Sequence, residues 1–477
     1  MTAHVTCTIR QLVDGEIATP AERLTLGLTD SDTGELLHPQ LATSADSVEK
    51  ALARAAALHA SNEWTALSPK ERAEALRAFG AELQKRAPEL GAGDSLDTGV
   101  PLTTTVAMSA AIAALTELGA AKLEEGFGHV EHISEAAGGC DQWQLPWGPA
   151  AVFLPWNAPT GIAIPKTTDA LVAGCPVIIK PSEWAPHFSG PFAEATKAAL
   201  PDGLVQILHG DRAVGERIVT DSRVAAISYT GGVVGGTAVA ELCARQLKPV
   251  DLELSGNNPV VVLPEANPEE VVPQVAMGMS LLNGQICSGP RRLIVHADQA
   301  DAYVAGLGGM LSVLPMGAST EETTAFGPLA HEPHRNRIES QIAEYEAGGS
   351  TVHRFGEAPA TGGHYVRPAV IVVGDGVVPR EEVFGPVIFV QTYHDVEQAV
   401  AMANDHAFGL SAYVFGGDRD SARAVGQRLR AGLVRVNTVV APPGDVPFVG
   451  SFWGVSGIGN IGIGQGANFF SGYRFVG

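Results

Sequence analysis

Between Pro149 and Gly256 two kinds of segment alternate. Five short apolar runs, PAAVFLPW, CPVIIKP, LVQILHG, VAAISYT and VDLELSG, are separated by four stretches of helical length: TGIAIPKTTDALVAG, APHFSGPFAEATKAAL, RAVGERIVT and VVGGTAVAELCARQL. Parallel strands cannot be joined by a tight turn, so a strand–helix alternation of this kind predicts a doubly wound parallel sheet. The runs are apolar at nearly every position, as expected of strands covered on both faces. A second α/β segment follows. NPVVVLP reads as a strand, PEEVVPQVAMGMSLL as a helix and RRLIVHA as the next strand; PAVIVVG, PVIFVQTY, SAYVFGG and GLVRVN are further strands. At 477 residues the chain is too long for one hydrophobic core, so two or three domains are expected.

Upstream, from Asp46 to about Gly126, apolar residues recur at three- and four-residue spacing, which predicts helices. Ser68-Pro69 followed by Glu71 marks one helix start, with Ser68 as cap. This alanine-rich region reads as scaffold. AMSAAIAALTELGAA is short and interrupted by Thr116 and Glu117, so it reads as a packed helix and not as a membrane span. The final twenty residues read as an extended tail.

A net charge of −21 argues against nucleic acid and anionic membranes as partners. The five cysteines (Cys7, Cys140, Cys175, Cys243 and Cys287) are far apart with no CxxC, which argues against a disulfide framework or zinc ribbon. No metal is expected. The first residues lack a basic region followed by an apolar core, so a reducing, cytoplasmic setting is the expectation.

In an open parallel sheet, ligands bind beyond the carboxyl ends of the strands. There the sequence places Asn157, then Lys180, Ser182 and Glu183, then Gly210, then Gly231 and Gly232 with Gly236 opening a helix, and finally Glu253. YTGGVVGG is a glycine-rich turn into a helix, suited to a diphosphate at backbone N–H groups. GIGNIG, the literal GxGxxG, has no strand before it and no long helix after it, and reads as a chance match. Asp251 and Glu253 share one face of their strand. That face belongs either to an exposed edge or to a cleft in which burial would make Glu253 a usable base. Cys287, in NGQICSGPRR, has glycines on both sides and few apolar neighbours. It reads as an inert thiol or as a nucleophile.

Taken together, these segments resemble the aldehyde dehydrogenases over nearly the whole chain from about residue 46. LPWNAP is similar to the family's oxyanion-asparagine motif, KPSE to its ribose-binding segment, YTGGVVGG to its FTGS turn, LELSGNNP to its general-base motif, GQIC to its nucleophile motif and EEVFGP to a further cofactor segment. The resemblance implies an aldehyde dehydrogenase-like α/β fold: a Rossmann-type cofactor domain (1–126 and 147–254), a second α/β catalytic domain (255–457) and a small oligomerisation arm (127–146 and 458–477). It implies Cys287 as nucleophile, Glu253 as general base and Asn157 as oxyanion donor. Trp156, Lys180, Ser182, Glu183, Gly210, Gly231, Gly232, Gly236, Leu254, Glu382 and Phe384 are then expected around the cofactor. NAD is expected ahead of NADP, because a 2'-phosphate would meet the Glu183 carboxylate. A homodimer or homotetramer is implied, acting on a small-molecule aldehyde.

Four features depart from the family's pattern. Gly232 stands in place of the FTGS serine, and Leu282 in place of a common asparagine. Asn460 and Ile461 replace an arginine–glutamate pair, and PFVGSFWG replaces a PFGG-type run. Trp156, Phe448, Phe452 and Trp453 are candidate linings for an apolar funnel, which suggests a hydrophobic or aromatic aldehyde; the same aromatics also suit a domain interface. Competing readings are a CoA-acylating dehydrogenase, a non-catalytic structural or ligand-binding relative and a cofactor-free thiol esterase. The presence of both Cys287 and Glu253 argues against the first two.

Overall fold

The computed structural model describes residues 8–128, 130–134, 139–374, 376–440, 450–461 and 466–477. The chain opens with β1 (Gln11–Val13), β2 (Glu16–Ala18) and a hairpin of β3 (Glu22–Thr29) and β4 (Leu36–Ala42). Helices α1 (Ala45–Ser61), α2 (Pro69–Lys85), α3 (Ala87–Thr98), α4 (Leu102–Ala113) and α5 (Thr116–Glu124) follow. The expected cap at Ser68 is a full capping box: its hydroxyl accepts from Glu71 N, and the Glu71 carboxylate accepts from Ser68 N at 2.8 Å. The span Leu102–Glu124 is long and apolar enough to cross a membrane. It is broken between α4 and α5, however, with α4 packed on α3 and α6 and α5 on α2 and α6. Strands β5 (Glu131–Ser134) and β6 (Cys140–Pro146) come next.

The predicted alternation then appears in full: β7 (Ala150–Phe153), α6 (Pro159–Ala173), β8 (Val177–Lys180), α7 (Ser189–Ala199), β9 (Val205–Ile207), α8 (Arg212–Thr220), β10 (Ala226–Thr230), α9 (Val233–Ala244) and β11 (Val250–Glu253). These five strands are parallel, in the order β9-β8-β7-β10-β11. The winding reverses between β7 and β10, which makes that edge a crevice for ligands. Alternate residues of a strand feed different cores. Ala150 and Val152 join the cluster containing Leu76, Phe79 and Phe192, whereas Ala151 and Phe153 join one containing Leu52, Ile218 and Ile227. Two-sided burial is why these strands are apolar throughout.

The second sheet contains β12 (Pro259–Val262), reached directly from β11. It is followed by α10 (Pro268–Ser280), β13 (Arg292–His296), α11 (Ala300–Val313), α12 (Glu332–Ala347), β14 (Thr351–Arg354), β15 (Ala369–Val372), β16 (Val387–Tyr393), α13 (Val396–Asn404), β17 (Ser411–Phe415), α14 (Arg419–Gly426) and β18 (Leu433–Val436). Its order is β14-β15-β16-β13-β12-β17-β18, parallel except for β14. The tail forms β19 (Gly450–Ser451), β20 (Gly457–Ile458), β21 (Asn460–Ile461) and β22 (Ser471–Val476). Strand β20 lies antiparallel on β11, so the Asp251–Glu253 segment is not a free edge. Strand β22 pairs with β6 over six residues, giving the expected extended tail a three-stranded sheet with β5.

Candidate active site

Cys287 lies in the loop between α10 and β13. Helix α10 ends in a tight turn in which Leu282 (φ 51°), Asn283 (φ 56°) and Gly284 (φ 73°) all take left-handed conformations. Asparagine and glycine tolerate this region; leucine does so at a cost. Buried side-chain donors hold the loop in place. Asn283, Gln285, Arg291 and Arg292 are all 0% exposed. Asn283 Nδ2 donates to the Gly99 and Pro328 carbonyls at 2.8 Å. Gln285 Nε2 donates to Thr98 O at 3.0 Å. Arg291 donates to the carbonyls of Gly284 (2.7 Å), Ile286 (2.8 Å) and Gly385 (3.1 Å). Asn258 Nδ2 donates to the carbonyl of Cys287 at 2.7 Å. The polar neighbours that set this cysteine apart in the sequence are therefore the loop's fixings.

Two of the three residues expected to act with each other are in direct reach. Cys287 Sγ lies 3.9 Å from Glu253 Oε1. Asn157 is tied to the same loop, its Nδ2 donating to Gln285 O at 2.8 Å, and an amide nitrogen carries a second hydrogen for another acceptor. Burial pushes the Cys287 thiol up, and the nearby Glu253 and Glu382 carboxylates push it further. Burial also raises Glu253, with Lys166 opposing that rise and Asp251 adding to it. The thiol is therefore protonated at neutral pH and needs a base beside it. Asp251, 4% exposed, accepts from Lys166 Nζ at 2.6 Å and from Ser228 Oγ at 3.0 Å. Of the two readings of this strand face, the cleft is the one observed.

The remaining strand-end residues follow the carboxyl ends of β8, β9 and β10. Lys180 Nζ donates to Pro181 O at 2.9 Å and lies 3.6 Å from Glu183 Oε2. Ser182 Oγ accepts from Trp184 N at 3.3 Å, closing a local turn. Gly210 has φ +146°, a conformation that favours glycine. Gly232 caps α9 without a side-chain hydrogen bond, and a Cβ built on it meets nothing within 4 Å. Gly236 packs α9 against Leu254, whose side chain would lie 2.4 Å from an added Cβ. An open glycine turn, bare helix-start N–H groups and a close helix–strand contact are what a dinucleotide diphosphate requires, so these residues fit one. From the other side, Glu382 Oε1 accepts from Gly256 N at 3.2 Å. The Phe384 ring packs against Trp156 at 5.5 Å and lies under the Arg291 guanidinium at 5.7 Å.

A separate small cavity of about 10 Å³, room for about one water, adjoins Asn157, with Asp94, Met108, Ser109, Ile112 and Leu282 in its wall. Trp156, Phe452 and Trp453 are not among its lining: Trp156 packs on His331 and His334, Phe452 is buried and Trp453 is exposed. Phe448 lies outside the described residues. Helices α3 and α4, read from sequence as scaffold, form part of the wall of this cavity. Sequence reasoning also passed over Lys166, Arg291, His331 and His334. Lys166 did leave a signal: it and Asp169 are the two charges in the otherwise uncharged α6. His334 Nε2 is 2.7 Å from Phe384 O, and burial holds the ring at about 4.

A thiol on the loop leading into one parallel sheet lies beside a carboxylate at the end of a strand of another, wound in the doubly wound order of dinucleotide-binding oxidoreductases. The chain belongs to the aldehyde dehydrogenase family, whose model matches residues 22–476. It is 30% identical to geranial dehydrogenase from Castellaniella defragrans over 442 residues, 92% of each chain. It is 33% identical to betaine aldehyde dehydrogenase from Sinorhizobium fredii over 452 residues, covering 92% of this chain and 91% of that one. Among solved structures, a mutant of aldehyde dehydrogenase C from Pseudomonas syringae, complexed with NAD+ and octanal, superposes with a TM-score of 0.91 at 28% identity, covering 98% of this chain and 96% of that one.

Proposed function

We propose that this protein oxidises an aldehyde to a carboxylic acid with NAD as acceptor, Cys287 serving as nucleophile and Glu253 as base. The observation that carries the assignment is the 3.9 Å approach of Cys287 Sγ to Glu253 Oε1 within a loop whose carbonyls are held by buried side chains. Glu253 takes the thiol proton, and the sulfur bonds to the aldehyde carbon. The negative oxygen of the resulting thiohemiacetal is held by the second Asn157 N–H and the Cys287 backbone N–H. The bound cofactor supplies the hydride acceptor. Loss of hydride from carbon leaves a thioester on Cys287. Glu253 passes the thiol's proton to solvent and, ionised again, takes a proton from water as that water adds to the thioester carbon; the C–S bond breaks, releasing the acid, and Glu253 returns the proton to the leaving sulfur, restoring the thiol.

Lys180, Glu183 and the Gly231–Gly236 turn would hold the adenosine and diphosphate portions, and Glu382, Phe384, Trp156 and Leu254 the nicotinamide portion. The Glu183 carboxylate favours NAD over NADP. Met108, Ile112, Leu282 and Ala158 gather beside Asn157, and this apolar side favours a substrate with an apolar body. Residues 1–126 with 147–254 form the cofactor domain and 255–457 the catalytic domain. The β5–β6–β22 sheet is the subunit arm; Trp143, Tyr473 and Phe475 stand exposed on it, as an apolar contact in a homodimer or homotetramer requires. A reducing cytoplasm would keep Cys287 as a thiol.

An aldehyde panel monitored at the reduced-nicotinamide absorbance tests the activity. Glu253→Gln should slow both NADH formation and acid release, because the same carboxylate takes the thiol proton and activates water. Full-speed turnover in that variant at neutral pH refutes the role of Glu253. Acyl transfer to CoA in place of acid release would favour the CoA-acylating reading.

A further inference from the structure

We infer, on the cofactor reading above, that the Tyr229 hydroxyl binds the adenosine half of the dinucleotide, in a niche that Gly235 keeps open.

Tyr229 is the last residue but one of β10, and its register partners are Phe153 on β7 and Leu252 on β11. It stands near the carboxyl ends of these strands, where the winding reverses. Its half-buried ring lies 6.3 Å from that of Phe153 and packs on the cluster that holds Ile218 and Val219 of α8 and Cys243 of α9. The hydroxyl reaches the opening of α9. A Cβ built on Gly231 would lie 2.6 Å from Tyr229 Oη, and one on Gly235 would lie 2.1 Å from it. Gly235 is needed for the oxygen in particular, since the ring carbon that bears it would lie 3.0 Å from the same Cβ.

Glycine in the first turn of a helix weakens that helix relative to alanine. Here the cost makes room for a polar atom that bonds to nothing in the protein: among the described residues the Tyr229 hydroxyl has no hydrogen-bond partner. A phenylalanine would pack the same ring without that oxygen. The oxygen and the glycine are explained together if a ligand takes up the hydroxyl.

The surroundings identify the ligand. Burial raises the phenol above its usual range, and the Glu183 carboxylate adds to the rise. The group is therefore a neutral hydroxyl, able to donate and to accept. Glu183 is within electrostatic reach on one side, and the bare N–H groups at the start of α9 lie on the other. The first belongs to the segment that would hold the adenosine ribose, and the second to the turn that would hold the diphosphate. The groups that would hold the nicotinamide pack elsewhere, with Phe384 against Trp156 and His334. A neutral hydroxyl placed between ribose and diphosphate sites meets adenosine, whose ring nitrogens and ribose oxygens both suit it.

Calorimetric titration with ADP reads this contact without turnover. Tyr229→Phe should bind ADP about fivefold more weakly than the wild type, and the KM for NAD should rise by a similar factor while kcat at saturating NAD is not lowered. Gly235→Ala should weaken ADP binding to a similar extent, because its methyl group displaces the hydroxyl. Added to Tyr229→Phe, the same substitution should cost less than about twofold, since there is no hydroxyl left to displace. ADP affinity in Tyr229→Phe within about twofold of the wild type overturns the inference, as does a Gly235→Ala penalty that persists undiminished in the double variant. A wild-type protein that binds neither ADP nor NAD overturns the cofactor reading and this inference with it. One that binds both, with Tyr229→Phe indistinguishable from it, overturns this inference alone.

Discussion

Replacing Lys166 by methionine tests whether the pair beneath Glu253 sets its working range. Lys166 Nζ sits 2.6 Å from Asp251 Oδ2, and its charge opposes the burial that raises Glu253. Asp251 and Glu253 are two residues apart on one strand, so the ammonium lies roughly 7 Å from the Glu253 carboxylate. At that range and an effective dielectric near 20, a unit charge contributes about 2 kcal/mol. Part of this is offset by water and side chains relaxing around the site of the lost charge. The remainder should move the acid limb of the kcat profile upward by about one pH unit, since Glu253 must be ionised to activate water. The sign follows from the acid's charge: removing a nearby cation disfavours the carboxylate, so activity is lost first on the acid side and recovers as pH rises. Steady-state kcat measured from about pH 5 to pH 9 reads the limb, and Lys166→Arg should restore it. A merely structural role would lower the melting temperature and leave the limb where it was. An unmoved limb, or one that moves down in a folded variant, refutes the electrostatic argument.

Asn157→Ala should lower kcat by roughly 10²- to 10³-fold with a smaller change in cofactor affinity, as loss of one oxyanion donor does; an unchanged kcat would leave its amide with only the Gln285 contact to explain it. Glu183→Ser should raise kcat/KM for NADP relative to NAD, and no change in that ratio would remove Glu183 from cofactor selection. Acid sensitivity has a readable source in His209, which is buried against Arg10 O at 2.9 Å and lowered by burial to about 4. Its contribution is complete above about pH 6.5 and is lost as pH falls toward 4, because only the unfolded chain takes up the proton; the window is worth up to about 3 kcal/mol. His209→Gln should therefore flatten the fall in melting temperature between about pH 6.5 and pH 4.5.

The architecture was legible because two-sided burial writes itself into composition: VIIK, VVV and AISYT can be little other than covered strands. The positions of Cys287, Glu253 and Asn157 were legible as local patterns at strand ends. What escaped depended on elements meeting in space. Lys166 acquires its role only when the fold brings its ammonium from α6 to Asp251 on β11. The left-handed backbone at Leu282 is invisible in a residue that seldom adopts it. The small cavity beside Asn157 escaped for a similar reason, since Asp94, Thr105 and Ser109 look like ordinary helix residues until α3 and α4 are brought against Asn157.

Why the thiol needs so much polar support follows from where its loop runs. Gly284 passes so close to the Gly385–Pro386 segment that a Cβ would lie 2.3 Å from Gly385 C, and a Cβ on Gly256 would lie 2.6 Å from Cys287 O. Backbones this near leave no room for side chains to pack between them, so the loop cannot be held by apolar contact. Arginine and asparagine side chains reach in from behind and bond its carbonyls instead. The Arg291 guanidinium does this while lowering the cost of an anion at Cys287, opposing the two carboxylates that raise it. Packing and reactivity are thus set by one buried cation. Arg291→Met, which keeps the volume but not the donors or the charge, should destabilise the loop and slow acylation together, whereas Arg291→Lys, which keeps charge without the fork, should separate the two.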